Sequence, residues 1–357
     1  MMMHWCTLSL ALAAPVLSLP FDWRVGEPLG FTRPHASSPS TTTISAGTSP
    51  SPSPSPSAPA ASAAAASSSS SSSSGSADIV SAKSAKAGTA RAIWLWNSDI
   101  IQDDAEVETF ISKMTDPKHP FQTVLALIDR DMGLAPWTSF IKKCNAAGLQ
   151  VEGLMGDKQW IKGSVTDDGP TLAHELEWIK SYQAAAPSDA KLAGVHLDVE
   201  PWALDDFDAN KAEYVAELQS IVSAVKEVTS PLGLPLGADL PFWGNTVACG
   251  DSTLDTCLLG DLDYVTFMTY RNTATSLLGI ADPVLAAVKK VDANMPVWLS
   301  VETSSECADV SLISYAGKTL SNLVGDLAKI ASGAEKTAPS FKGIAVHSYQ
   351  DFKEMSG

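Results

Sequence analysis

The segment Gly194-Val195-His196-Leu197-Asp198-Val199-Glu200-Pro201-Trp202 sets two carboxylates two residues apart in an alternating pattern. Val195, Leu197 and Val199 form an apolar set. Gly194, His196, Asp198 and Glu200 form the other. Side chains of a β-strand alternate between its faces with period two, whereas a helix would scatter these sets around its axis, so the pattern predicts a strand. Aliphatics on one face and two carboxylates at the C-terminal end of the other are what a strand of a (β/α)8 barrel presents at its catalytic mouth. Two carboxyl groups in one cleft suit hydrolysis of a glycosidic bond, where one protonates the leaving oxygen. The bland alternative is a structural strand whose Asp and Glu pair with Arg or Lys. Unpaired inward charge is costly, which weighs against that alternative.

Such a site needs a frame. Past residue 91, short apolar runs alternate with helical periodicity, as repeated βα units require. Strands are expected at 92–97, 122–129, 149–155, 192–200, 234–240, 263–270, 296–302 and 342–349, and helices at 103–114, 137–147, 171–185, 208–228, 277–291 and 318–331. The connection 241–261 reads as a loop with one short helix. The fold class is α/β, a (β/α)8 TIM barrel over 91–357. A doubly wound open sheet is disfavoured, because no glycine-rich phosphate loop follows any strand.

The expected strand ends gather polar and aromatic groups. These are Trp96, Asp129, Asp157 with Trp160, Asp198 and Glu200, Asp239, Tyr270 with Arg271, Glu302, and His347 with Tyr349. Taken singly, Asp129, Asp157 and Asp239 could each cap a following helix, Trp96 and Trp243 could be packing residues, and Arg271 could neutralise carboxylates. Their coincidence at one barrel mouth favours a site. Trp96, Trp160, Trp202 and Trp243 offer ring faces suited to stacking on pyranoses, which points to a polymeric glycan.

The chain has 357 residues and a formal net charge of −16, which argues against nucleic acid or an anionic membrane surface as partner. Residues 1–19 read as a signal peptide: an apolar run leads to Ala11-Leu12-Ala13, an A-x-A cleavage pattern, although no Lys or Arg precedes it. The run is too short for a membrane anchor. Residues 20–90 read as a linker, dominated from about residue 36 by Ser, Ala, Pro and Thr, with Ser-Pro alternation at 50–57 and a Ser run at 67–74. It buries too little apolar surface to offset its ordering entropy and reads as a disordered, O-glycosylated stalk. A secreted protein, associated with a cell wall and monomeric, is the expectation. Without Cys6 the cysteines form an even set suited to an oxidising compartment. Cys249 and Cys257 bracket a short loop and are paired first, leaving Cys144 with Cys307. No Cys/His spacing suggests a metal, and no cofactor is expected.

Three segments together resemble the chitinase-type (family 18) glycoside hydrolases. That family ends its fourth strand in Asp-x-Asp-x-Glu after Asp-Gly. Ala193-Gly194-Val195-His196-Leu197-Asp198-Val199-Glu200 keeps the last Asp and the Glu, with Ala193 and His196 at the two earlier Asp positions. The family's Met-x-Tyr-Asp on the sixth strand is matched by Met268 and Tyr270, with Arg271 replacing the Asp. The eighth strand has His347 or Tyr349 where the family usually brings a Trp. The resemblance implies that Glu200 protonates the departing oxygen, that Asp198 orients a substrate acetamido group which attacks the anomeric carbon, and that Tyr270 hydrogen-bonds that group. The chain also resembles the retaining glycosidases that place an acid/base Glu after strand four and a nucleophilic Glu after strand seven. Glu200-Pro201 is similar to their Asn-Glu-Pro, with Val199 for Asn, and Glu302 matches the nucleophile. Glu200 is the acid in either scheme, and its partner stays open between Asp198 and Glu302. A lectin-like barrel that binds glycan without cleaving it is the non-enzymatic alternative.

Overall fold

The structure is a computed structural model that describes residues 90–163 and 171–357. The expected signal peptide (1–19) and the linker (20–90), up to residue 89, lie outside the described residues.

Eight parallel strands close into a barrel in sequence order: β1 (Ala90–Leu95), β2 (Thr123–Leu127), β3 (Gln150–Met155), β4 (Gly194–Leu197), β5 (Leu236–Pro241), β6 (Tyr264–Met268), β7 (Val297–Glu302) and β8 (Phe341–His347), with β8 pairing back to β1. The long helices are α1 (Asp104–Met114), α2 (Leu134–Ala146), α3 (Leu172–Ala185), α4 (Phe207–Thr229) and α5 (Ala274–Val291). The short α6 (Val310–Ile313), α7 (Leu320–Thr337) and the one-turn α8 (Tyr349–Phe352) follow. All eight expected strands and all six expected helices are present. Several helices start where a side chain satisfies the first free N–H groups. Asp103 caps α1, Thr171 caps α3, Thr273 caps α5, and Thr319 with Asn322 closes a capping box on α7.

Period-two alternation divides the core into two layers. Val195, Leu197 and Val199 join the large outer layer between strands and helices, while Trp94, Leu125, Leu154, Trp298 and Ala345 fill the barrel interior beneath the mouth. A TIM barrel's interior is a packed core rather than a pore, so polar groups reaching it must find partners there. Gly237 makes one such arrangement possible: a Cβ on it would sit 2.0 Å from Cζ of Tyr264.

The 241–261 connection carries a 3-10 turn at Gly244–Thr246, and a two-residue hairpin pairs Ala248–Cys249 with Ser252–Thr253. Cys249 and Cys257 are joined there, with Cα atoms 6.1 Å apart. The expected Cys144–Cys307 bridge is not formed. Cys144 is a buried thiol on α2, which follows β2, and Cys307 lies in the loop after β7, three strands away around the barrel. Burial pushes the Cys144 thiol far above its ordinary pKa, so it is chemically inert. An even cysteine count carries no information about position around the barrel. No helix among the described residues is long and apolar enough to cross a membrane.

Candidate active site

Strand β4 ends at Leu197, three residues earlier than the alternation suggests. Asp198 still donates its N–H to the Met155 carbonyl at 3.0 Å. Glu200 then precedes a 3-10 turn at Pro201–Ala203, where Pro201 has no N–H to continue the ladder. The alternation persists through this stretch. His196, Asp198 and Glu200 are turned away from the outer core and are almost fully buried.

The Glu200 carboxyl lies against that of Asp198, and its Oε2 accepts from the Trp202 indole N–H at 2.9 Å. Two carboxyl groups in such contact hold a proton between them, because two buried anions at that distance repel strongly. Burial, and then the charge of Asp198, push Glu200 well above the usual carboxylate range. Burial, and then the charge of Asp239, push Asp198 up as well. Asp198 Oδ1 is buried with no hydrogen-bond partner among the described residues.

A second polar chain crosses the barrel below this pair. His196 Nε2 lies 2.9 Å from Asp239 Oδ2 on β5, off the axis of an aligned hydrogen bond but within ion-pair reach. His196 Nδ1 is 2.7 Å from the Tyr264 hydroxyl on β6, which itself donates to Glu152 on β3 in a short hydrogen bond. With the phenol proton given to Glu152, the phenol oxygen accepts from His196 Nδ1–H. Burial alone would lower the His196 pKa, but Asp239, Glu152 and Asp198 outweigh it and hold it above its ordinary value. The register sets Glu152 opposite Gly194, the position at which a Cβ would come within 3.2 Å of its carboxylate.

Across the mouth, Glu302 and His347 are direct neighbours in the β7–β8 register. Glu302 Oε1 accepts from the backbone N–H groups of Thr303 and Ser304, both at 2.7 Å, and its Oε2 lies 2.9 Å from His347 Nδ1. His347 Nε2 accepts the Trp96 indole N–H at 2.8 Å, which requires that nitrogen to be unprotonated in this geometry. The Trp94 ring lies between the two histidines, 6.3 Å from His196 and 5.6 Å from His347.

The remaining expected site residues divide. Tyr270 is brought to the mouth, its ring 6.0 Å from that of His347. Trp202 and Trp243 meet edge to face at 5.9 Å beside Glu200. Arg271 donates to the Tyr270 carbonyl and lies over the Phe242 ring, 5.2 Å from its centroid. Asp239 enters the interior chain. Asp129 and Asp157 hold their local turns, accepting from Asp131 N–H at 2.9 Å and Gln159 N–H at 2.8 Å. Trp160 lines a cleft with Leu172 of α3 and Ile221 of α4 on the helical side. Tyr349 starts α8 and packs edge-on to Phe110 of α1, 4.7 Å between centroids, in the outer layer. Its backbone is the first turn after the strand, which carries the ring outward. Glu152 and Tyr264 were not anticipated. Each lies on the inward face of its strand, and that inward placement is the only signal the sequence carries. No group of three or more His, Cys, Asp and Glu among the described residues is arranged to hold a metal ion.

No protein-family model matches the chain, and no curated protein matches it. Solved structures do. The chain is similar to a GH18 chitinase from Pseudoalteromonas aurantia, with 12% identity, 73% of this chain and 94% of that one covered, and a TM-score of 0.45. It is similar to the PgaB (BpsB) glycoside hydrolase domain from Bordetella bronchiseptica, with 11% identity, coverage of 74% and 95%, and a TM-score of 0.44. A chitinase from Chromobacterium violaceum has 14% identity, coverage of 60% and 68%, and a TM-score of 0.35. At these identities the likeness is one of fold.

Proposed function

We propose that the chain is a secreted glycoside hydrolase acting on a glycan that contains N-acetylated amino sugars, with Glu200 as general acid/base and Asp198 as its partner. The observation that carries this reading is the buried Asp198–Glu200 pair, in which burial and then the neighbouring Asp198 carboxyl push Glu200 well above the usual carboxylate range. A general acid must be protonated at working pH, and burial beside a second carboxylate supplies that condition. Glu200 passes its proton to the glycosidic oxygen as the bond from the anomeric carbon breaks. The substrate's acetamido oxygen attacks that carbon, and the freed Asp198 carboxylate accepts a hydrogen bond from the acetamido N–H, for which Oδ1 is available. Glu200, now a carboxylate, takes a proton from the water that opens the resulting ring. Tyr270 holds the acetamido oxygen, and Trp96, Trp202 and Trp243 stack on sugar rings. The strand-seven alternative is less well supported, because both oxygens of Glu302 are already committed to Thr303, Ser304 and His347. The Cys249–Cys257 disulfide suits an oxidising compartment.

The test is cleavage of N-acetylated oligosaccharides against a panel of non-acetylated ones, with products followed by chromatography and anomeric configuration by NMR. Release of N-acetylated products with retained configuration is expected. Glycan binding with no cleavage would instead identify a lectin-like barrel. Cleavage restricted to sugars without acetamido groups would show that Asp198 does not act by orienting an acetamido group.

A further inference from the structure

Glu200 receives a donor that the proposed chemistry does not use, the indole N–H of Trp202. The turn after β4 places it. Pro201 starts a 3-10 turn closed by the Ala203 N–H on the Glu200 carbonyl at 3.0 Å and by the Leu204 N–H on the Pro201 carbonyl at 3.1 Å. Lys158, from the 3-10 turn after β3, fastens it by donating to the Ala203 carbonyl at 3.0 Å. The indole is thereby folded back on the side chain two residues before it. Its Nε1 reaches Glu200 Oε2 at 2.9 Å, with both residues buried. Trp243, from the loop after β5, meets the ring edge to face at 5.9 Å, and its own carbonyl is tied by the Thr246 hydroxyl at 2.8 Å. An N–H aimed at a carboxyl oxygen needs a lone pair there, which a carbonyl or carboxylate oxygen offers better than a hydroxyl.

We propose that Trp202 is a positioning residue for the general acid: its N–H holds Oε2 of Glu200 as the acceptor oxygen, leaves Oε1 to carry the transferable proton, and binds Glu200 more tightly as that proton leaves. The proposal rests on the reading of Glu200 as the acid. When the Oε1 proton moves to the glycosidic oxygen, its bonding electron pair stays on Glu200, and the electrons of the breaking C–O bond stay on the leaving oxygen. The new negative charge spreads over both oxygens of Glu200. A hydrogen bond to a carboxylate is roughly twice as strong as one to a neutral carbonyl. Trp202 therefore holds the transition state better than the ground state, and only such a difference accelerates the step. The role belongs to the N–H edge of the indole and is separate from stacking of its face on a sugar.

The test varies how much the leaving group needs the acid. Trp202→Phe keeps an aromatic ring and removes the donor. On an N-acetylated oligosaccharide, whose alkoxide leaves poorly, kcat/KM should fall by on the order of tenfold, the worth of one charge-assisted hydrogen bond. On the matching para-nitrophenyl glycoside, whose phenolate departs with little protonation, kcat/KM should stay close to wild type. A ring that only fills space would cost both substrates alike, so equal losses overturn the proposal. Glu200→Gln should show the same asymmetry on a larger scale. Equal losses there would remove the reading of Glu200 as the acid, and the role of Trp202 with it. Should Trp202→Phe fail to melt cooperatively, benzothienylalanine at position 202 takes its place with the same two outcomes, since it exchanges the N–H for sulfur in a ring of nearly the same shape.

The contact is also readable without substrate. In full-length protein labelled with 15N at tryptophan, the Trp202 indole proton is assigned by its loss in Trp202→Phe. It should resonate downfield in wild type and move upfield in Glu200→Leu, where the acceptor is gone. A signal that does not move overturns the proposal. A wild type that cleaves neither substrate would remove the glycosidase reading and this role together, whereas an active wild type with equal losses in Trp202→Phe removes only the role.

Discussion

Two carboxyl groups at the rim of one barrel, Glu200 three residues past β4 and Glu302 at the end of β7, meet opposite fates. Glu302 is fully buried and satisfied, with two backbone N–H groups on one oxygen and a histidine on the other. Glu200 is almost as deep, yet it is pressed against Asp198, and burial followed by the charge of Asp198 favours its protonated form. Position on a barrel strand therefore does not decide how a carboxyl group is held. What distinguishes the two is whether the protein has spent its own donors on the carboxylate. A satisfied carboxylate builds structure, and a frustrated one stores a proton.

The largest expected effect tests that distinction directly. Glu200→Gln is nearly isosteric, removes the transferable proton and should lower kcat/KM on an N-acetylated oligosaccharide by roughly 10²–10⁴. Near-wild-type turnover in that variant would end the assignment of the strand-four side as catalytic. Next in size is the contrast between partners. Asp198→Asn and Glu302→Gln should both reduce activity, with Asp198→Asn the more damaging by tenfold or more, about 1.4 kcal/mol of transition-state stabilisation. Glu302→Gln places an amide where three donors converge and should cost stability, roughly 1–3 kcal/mol in denaturant unfolding, because buried donors lose their acceptor. The reverse order in kcat/KM, with azide restoring cleavage of an activated substrate in Glu302→Gly, would make Glu302 a nucleophile.

The barrel was legible because its signal is local. Eight apolar runs separated by helical periodicity specify strands and crossovers without reference to one another, and the outward set Val195, Leu197 and Val199 follows from period two alone. The pair Asp198 and Glu200 was legible for the same reason. The Tyr264–Glu152 contact was not, since it joins β3 to β6 across the interior and depends on the space left at Gly194 and Gly237, a property of closure rather than of either strand. The pairing of Cys144 with Cys307 failed on radial position. Tyr349 was assigned to the mouth because strand periodicity was carried two residues too far, past His347, where the chain already turns into α8.

Thermal stability separates the same two sides more gently. Burial raises the Glu200 pKa in the folded state, so the native protein holds a proton that the unfolded chain releases near the ordinary glutamate value. Stability from this group is therefore fully present below the unfolded pKa and is lost as pH rises through the folded one. Gln has no proton to lose. Glu200→Gln should leave Tm unchanged near pH 4 and raise it by roughly 2–4 °C at pH 7–8, the scale of about 1 kcal/mol for a domain of this size. Calorimetry at the two pH values checks this. A gain of equal size at both would mean that the substitution relieves packing strain and not charge.

The smallest expected effect lies on the strand-eight side, where pH should alter geometry rather than chemistry. His347 accepts the Trp96 N–H through Nε2, and a protonated imidazole has no lone pair there. Burial lowers the His347 pKa, but Glu302 outweighs it and the net direction is upward, so protonation sets in above the usual histidine range. Once it does, two N–H groups face each other and the indole must move, although Glu302 keeps the imidazolium in place. Tryptophan emission, taken as the difference between wild type and Trp96→Phe, should titrate once as the pH is lowered, with a midpoint above the ordinary histidine value. Gln at position 347 can accept from Trp96 and donate to Glu302 without titrating, so His347→Gln should abolish the transition while retaining the fold. If the difference signal is flat, or survives in His347→Gln, the bond between Trp96 and His347 does not govern the position of the indole.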